Sequence, residues 1–152
     1  MNIIDYIFGP PEHGPKNEVQ VIISTATEQS GKANIIYFPL YSARFRKGKY
    51  LMELHLTDGK IFKSESQESY FTAMFELRKQ LESVNIKLCC WGARKDVWPS
   101  GMQADMGSGL EAGSRNKDQD SIVKDIFSEL PVEEVSATEE QKDYIFSEAH
   151  DA

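Results

Sequence analysis

The stretch KYLMELHLTDGKIFKSESQESYFTAMFELRKQLESVN, residues 49–85, decides the fold. Its first part alternates. Tyr50, Met52, Leu54 and Leu56 share one face, and Glu53 and His55 take the other along with Leu51. Successive side chains of a strand point to opposite sides, so this pattern is a half-buried strand. Asp58-Gly59 then reads as a two-residue hairpin turn, because both turn positions want φ > 0. IFKSES, residues 61–66, is the returning partner, with Phe62 directed inward. Directly after it the apolar period lengthens. Tyr70, Phe71, Met74, Phe75, Leu77 (or Arg78), Leu81 and Val84 recur at three- and four-residue spacing, which marks one face of a helix. Ser64 and Gln67 offer a capping box at its start, and Asn85 a stop at its end.

Outward from this core, EVQVIIST (18–25) and NIIYFPLY (34–41) read as earlier strands. Pro39 pushes the second toward a sheet edge, or its last residues off the ladder. After the helix, IKLCCW (86–91) is a buried strand, and SIVKDIFSEL (121–130) fits a strand or a short helix ended by Pro131. SATEEQKDYIFSEAHDA reads as a C-terminal helix. Thr138 can cap it with Gln141 at the N3 position, Glu139 and Glu140 suit the positive end of its dipole, and Tyr144, Ile145 and Ala149 would dock it. The expected class is α+β: a mostly antiparallel sheet of about four to six strands, with one long helix and a C-terminal helix packed on it. Residues 1–152 read as one globular domain, with flexible loops at 10–18 and 112–120.

A chain of 152 residues buries roughly 70% of its extended surface, enough for a real core. No apolar run approaches the ~20 residues of a membrane span, so no membrane partner is expected. MNIIDYIFGPPEHG is apolar but lacks a basic n-region and carries Asp5, so it reads as mature protein and not as a signal peptide. The adjacent Cys89 and Cys90 cannot form an ordinary structural disulfide with each other, which favours the reducing cytoplasm. The net charge of −7 is uneven: residues 118–152 carry eleven acids and two bases. Such an end repels nucleic acid and anionic lipid and steers a basic partner toward itself; it also serves simply as a solvated face.

The segment CCWGARKDVWPSGMQADMGSGLEAGSR, residues 89–115, concentrates both cysteines, both tryptophans and five of the ten glycines. A strand end followed by an irregular loop is a frequent place for functional groups. Here it offers Arg94, Lys95, Asp96, Trp98 and Ser100, with Arg94 and Asp96 as a possible ion pair and Ser100 as the N-cap of a short helix carrying Met102 and Met106. The alternative is a well-packed connection held by aromatic and methionine side chains. MGSGLE, residues 106–111, lacks the Lys-Ser or Lys-Thr of a phosphate-binding loop and reads as a flexible loop. Cys89 and Cys90 should point to opposite faces of a strand, so one of them is core. Neither has a histidine at a motif spacing, no C-x-x-C pair is present, and no G-x-S-x-G occurs. No catalytic residue, metal ligand or cofactor is therefore expected. The basic run around Arg44, Arg46, Lys47 and Lys49, interleaved with Phe45 and Tyr50, suits nucleic acid in kind, but the acidic tail argues against it. The same run would also suit the acidic C-terminal helix.

Over Gly92, Ala93, Arg94, Asp96, Val97, Trp98, Pro99, Ser100, Gly101, Met102, Met106, Gly107, Gly109 and Leu110 the chain resembles small bacterial immunity proteins of secreted, polymorphic toxin systems. Their shared core runs G-[AS]-R-x-D-V-[YW]-P-S-G-M and then M-G-x-G-L, and VSATEEQKDYIFSEA is similar to their C-terminal helix. The chain departs at Gly113, where the group tends to carry an aromatic residue. The resemblance implies a cytoplasmic inhibitor that binds the C-terminal toxin domain and occludes its active site. A basic toxin, such as a nuclease, would meet the acids Glu133, Glu134, Glu139, Glu140 and Asp143, with the loop of Arg94, Asp96 and Trp98 as a second contact. The competing expectation is a small enzyme or ligand-binding protein using the loop at 92–110.

Overall fold

The alternating strands assemble in the order the hairpin demands. The structure, a computed structural model, describes residues 12–42, 46–116 and 122–147. Its strands are β1 (Glu12–His13), β2 (Asn17–Ser24), β3 (Gly31–Ser42), β4 (Arg46–Leu56), β5 (Ile61–Ser66), β6 (Lys87–Leu88), β7 (Val97–Trp98), β8 (Glu111–Ser114) and β9 (Val123–Asp125). Its α-helices are α1 (Tyr70–Glu82), α2 (Gly101–Met106) and α3 (Thr138–Phe146), with 3-10 turns at Trp91–Ala93 and Val132–Glu134. The class is α+β. A six-stranded antiparallel sheet runs β5-β4-β3-β2-β6, with β1 paired to β3, and a second sheet runs β7-β8-β9.

The β4–β5 hairpin sets the register, with Leu54 opposite Phe62 and Met52 opposite Ser64. Its loop spans four residues, and Gly59 alone takes a positive φ, +93°. Asp58 contributes differently from the expected two-residue turn: its Oδ1 accepts from the Lys60 amide at 2.9 Å. Pro39 does not end β3, which continues to Ser42 with a register shift between Leu40 and Tyr41. On that side β2 pairs β3 as far as Tyr37, and β1 takes over at Leu40, so no neighbour requires the N–H that proline lacks.

The inward face of β4 builds the core as its period requires: Met52 and Leu54 are 0% exposed. Helix α1 covers them with Phe71, Met74, Leu77 and Leu81, each at most 1% exposed. Leu77 and Arg78 are both buried. The helix spans thirteen residues and starts later than the pattern suggested. Its N-cap is Ser69, whose Oγ accepts from the Thr72 amide at 3.1 Å while the Thr72 hydroxyl accepts from the Ser69 amide. Ser64 cannot cap because β5 is still paired there; its hydroxyl donates to the Ala73 carbonyl instead. The helix ends at Glu82, and Asn85 turns the chain at φ +59°. Val84 therefore leaves the helical phase and is half exposed.

The regions first read as loops carry strand. Glu12–His13 and Asn17 onward pair with β3, and Glu111–Ser114 pairs with β7 and β9; residues 10, 11 and 117–120 lie outside the described residues. The open choice for 121–130 resolves to a short strand, Val123–Asp125, followed by a turn. Among the described residues no helix is long and apolar enough to cross a membrane.

Candidate functional site

The strand expected over 86–91 is only Lys87–Leu88, and Cys89 and Cys90 follow it, leading into the 3-10 turn at Trp91. Both thiols are free and buried. Burial pushes the Cys90 thiol up to about 12, with the neighbouring Cys89 adding to the effect, and burial also raises Cys89. A thiol held protonated in this way is a poor nucleophile. Trp91 is 2% exposed; its Nε1 donates to the Ala112 carbonyl at 2.7 Å, which ties the exit turn to the second sheet. Arg94 and Lys124 both sit over its ring, at 5.2 and 4.9 Å.

The turn that follows is fixed by polar contacts. Arg94 Nε pairs with Asp96 Oδ1 at 2.9 Å, the ion pair expected from the sequence. The other carboxylate oxygen of Asp96 accepts from the Ser114 hydroxyl at 2.5 Å, so this acid is structurally committed on both sides. Glu134 lies 4.0 Å from Arg94 Nε. Trp98 packs edge-on against Phe71, Phe75 and Phe146, with ring centroids 4.8, 5.6 and 5.3 Å away.

The glycines serve the same packing. Ser100 caps α2 as expected, with a capping box to Gln103. The amides of Gly107 and Gly109 both donate to the Gln103 carbonyl, and Leu110 N donates to Gly107. These donors are therefore turned into the loop and not toward an anion. Ser108 offers its carbonyl to the Tyr70 amide at 2.8 Å, which satisfies one of the unpaired N–H groups at the start of α1. Gly109, at φ +73°, lies against Ser69, where an added Cβ would come within 2.6 Å of the Ser69 Cβ. Residues 106–110 are a docked strap and not the free loop the sequence suggested. Met102 and Met106 remain outside, 71% and 81% exposed.

Helix α3 brings the acidic residues alongside. Glu133, Glu134, Glu139, Glu140 and Asp143 are all exposed, on the 3-10 turn at 132–134 and on α3. Glu134 joins Arg94, Lys95, Asp96, Asn116 and Tyr144 around an open cleft of about 280 Å³. Lys95 lies over the Tyr144 ring at 5.1 Å. Glu139, Glu140 and Asp143 lie outside that cleft, so the expected contact residues form two adjoining groups, one loop-centred and one on the helix. Trp98 lines a separate groove of about 230 Å³ between α1 and α3 with Phe75, Lys79, Lys142 and Phe146.

Two residues at this junction carry roles the sequence reading did not give them. The N-cap of α3 is Ala137, without a side-chain cap. Thr138 is instead buried as the first helical residue, and its amide donates to Glu82 Oε1 of α1 at 2.7 Å. Gln141, expected as a capping partner, is 0% exposed. Its Nε2 donates toward the carbonyls of Gly92, Arg94 and Val97 at 3.0, 3.0 and 2.9 Å. Its Oε1 accepts from Arg78 Nη1, and Arg78 Nη2 donates to the Ser136 carbonyl at 2.5 Å. Burial lowers Arg78 to about 10, with Glu82 opposing the shift, so it stays charged at neutral pH. The docking face of α3 is thus Thr138 and Gln141; Tyr144 and Ile145 are half-buried, and Ala149 lies outside the described residues. Arg78 stood on the apolar face of the helix pattern, and a charged residue there is the one signal that could have pointed to a buried partner.

Of the basic run, Arg44 and Phe45 lie outside the described residues; Lys49 pairs with Glu65 of β5 at 2.9 Å and not with α3. Among the described residues no group of three or more His, Cys, Asp or Glu side chains is placed to hold a metal ion. No protein-family model matches the chain, and no curated protein matches it either.

Proposed function

We propose that the protein is a cytoplasmic immunity protein: a non-enzymatic inhibitor that binds the C-terminal toxin domain of a secreted bacterial toxin and occludes its active site. The observation that carries this reading is the exposed acidic run held beside the Arg94–Asp96 turn: Glu133 and Glu134 on the 3-10 turn, and Glu139, Glu140 and Asp143 on a helix locked to the core through Gln141. An acidic surface that is ordered before contact binds a basic cleft without first losing its own conformational freedom. Its charge also speeds encounter with a basic toxin such as a nuclease. The resemblance at residues 92–110 supplies the toxin–immunity context. The small-ligand alternative draws less support, because the glycine-rich segment spends its amides on Gln103.

The test is co-expression with the C-terminal domain of the product of the adjacent upstream gene, scored by growth, followed by calorimetric titration of the pair. Growth rescue with nanomolar binding is the expected result. A toxic domain that neither binds nor is neutralised overturns the proposal.

A further inference from the structure

Most surface helices dock through an apolar stripe, but α3 does not. Its fully buried side chains are Thr138 and Gln141, and Phe146 at its end is 65% exposed although it touches Trp98. What lies beneath the helix is also polar: the carbonyls of Gly92, Arg94 and Val97, and the guanidinium of Arg78.

The chemistry selects glutamine at position 141. A neutral amide offers an acceptor at one end and two N–H donors at the other. Arg78 is donor-only, so it must face Oε1; the three carbonyls accept only, so they must face Nε2. A glutamate would satisfy Arg78 but set a carboxylate against three carbonyl oxygens. An asparagine is one methylene too short to span both. Ser136 N to the Ala93 carbonyl, 2.9 Å, and the Arg94–Val135 bridge continue the same seam in backbone.

We infer that Gln141 is the positioning residue of this surface: with Arg78 it forms a buried polar latch that fixes the 92–98 turn and α3 as one unit, and that unit opens as a unit. The latch follows from geometry alone; its consequence for binding rests on the inhibitor reading above. Opening rehydrates the Arg78 guanidinium and the three carbonyls, so the desolvation that closing costs is returned. An apolar contact gives nothing back in this way. The unit therefore opens more readily than β3 and β4, whose inner faces are apolar.

Amide hydrogen exchange on the whole chain tests the latch without any partner. In the wild type, amides of 92–98 and 138–146 should exchange as one class, faster than those of β3 and β4. Gln141→Ala should speed both segments tenfold or more and leave the sheet unchanged; Gln141→Glu should do the same, because the loop-facing donors are lost. Lys142→Gln, an exposed change on the same helix, should alter neither segment. Independent rates for the two segments in the wild type overturn the inference, and that measurement stands even if the variants do not fold. So does an equal acceleration of all amides, sheet included, in both variants. Where a toxin partner is in hand, Gln141→Ala should raise its dissociation rate about tenfold with little change in association. An unchanged dissociation rate beside accelerated exchange would sink the inhibitor reading of this face while leaving the latch intact.

Discussion

The hairpin-and-helix half and the segment from Cys89 to Phe146 share one apolar core, which Trp91, Val97, Ala112 and Ile126 enter from the second, but they differ in the polar contact they bury. In the first, Ile35, Met52, Leu54, Leu77 and Leu81 are wholly buried and meet only by packing. In the second, Asp96, Ser114, Ser136, Thr138 and Gln141 are buried, and Arg78 reaches across from the first half to join them. Among the described residues no buried side-chain nitrogen or oxygen lacks a hydrogen-bond partner. Apolar contacts degrade gradually as area is lost. A polar network in a low-dielectric setting fails when one member goes, because each orphaned group retains its desolvation cost. Global stability therefore rests on the apolar core that both halves share, and surface geometry on the polar contacts of the second.

The largest effect should come from cutting the contact the halves share. Phe71 is 1% exposed in the main core and its ring lies 4.8 Å from Trp98. Phe71→Ala should lower the unfolding free energy by about 3–5 kcal/mol in urea, with both halves lost in one transition. Two separated transitions would mean that the halves are more independent than this packing implies. Next comes Gly109→Ala. The positive φ alone costs about 1–3 kcal/mol, and the new Cβ must displace Ser69 at the cap of α1. A loss near 3 kcal/mol is expected, and loss of no more than a few tenths would show that the 106–110 strap is not docked on α1.

The same contrast explains what could be read from residues alone. β4 and α1 carry long, regular apolar periods and Asp58-Gly59 marks the turn to β5, so the α+β class, the hairpin and the buried face of α1 were legible. The second sheet was not: β7 has two residues and β9 three, too short for any period to register. Boundaries were missed where a polar side chain had two plausible partners. Ser64 and Thr138 look like caps in sequence, but β5 pairing holds Ser64 and the cap of α1 falls to Ser69, while α3 starts at Ala137 without a side-chain cap. Gln141 illustrates the limit. Its partners lie 44 to 63 residues away, and a glutamine near a helix start has an ordinary local explanation. At the candidate site, Ser100 and the Arg94–Asp96 pair were legible because each is a local contact, whereas the partners of Trp91 and Trp98 lie more than twenty residues away. The docking of Ser108 and Gly109 on α1 was not legible either.

A smaller effect comes from alkaline pH. Cys90 is held as the thiol, raised to about 12, whereas in the unfolded chain it ionises near 9. The fold therefore keeps this contribution below about pH 9 and loses it as pH rises toward 12. The slope approaches 1.4 kcal/mol per pH unit from this group at most. Denaturation midpoints between pH 8 and 10 should fall for the wild type and fall less for Cys90→Ala; equal slopes would place the alkaline sensitivity elsewhere. Below pH 10 the tyrosines add little, since in the unfolded chain they ionise only near 10; above that, burial keeps Tyr70 and Tyr37 protonated in the fold and adds to the loss.

The smallest effect on stability should be the largest on association. Glu139 and Asp143 are exposed and one turn apart on α3. Reversing both to lysine disturbs only the helix-end electrostatics and should cost at most about 1 kcal/mol. If a basic toxin domain docks here, the association rate at low salt should fall roughly tenfold, and its dependence on ionic strength should flatten, because the field that steers encounter is removed. Dissociation should change less. Gln141→Ala should show the opposite pattern, since it leaves every exposed charge in place and loosens only their support. The two variants therefore separate the charge of this surface from its rigidity. An association rate and salt dependence left untouched by the reversal would move the contact from the acidic helix to the Arg94–Asp96 turn or to another face altogether.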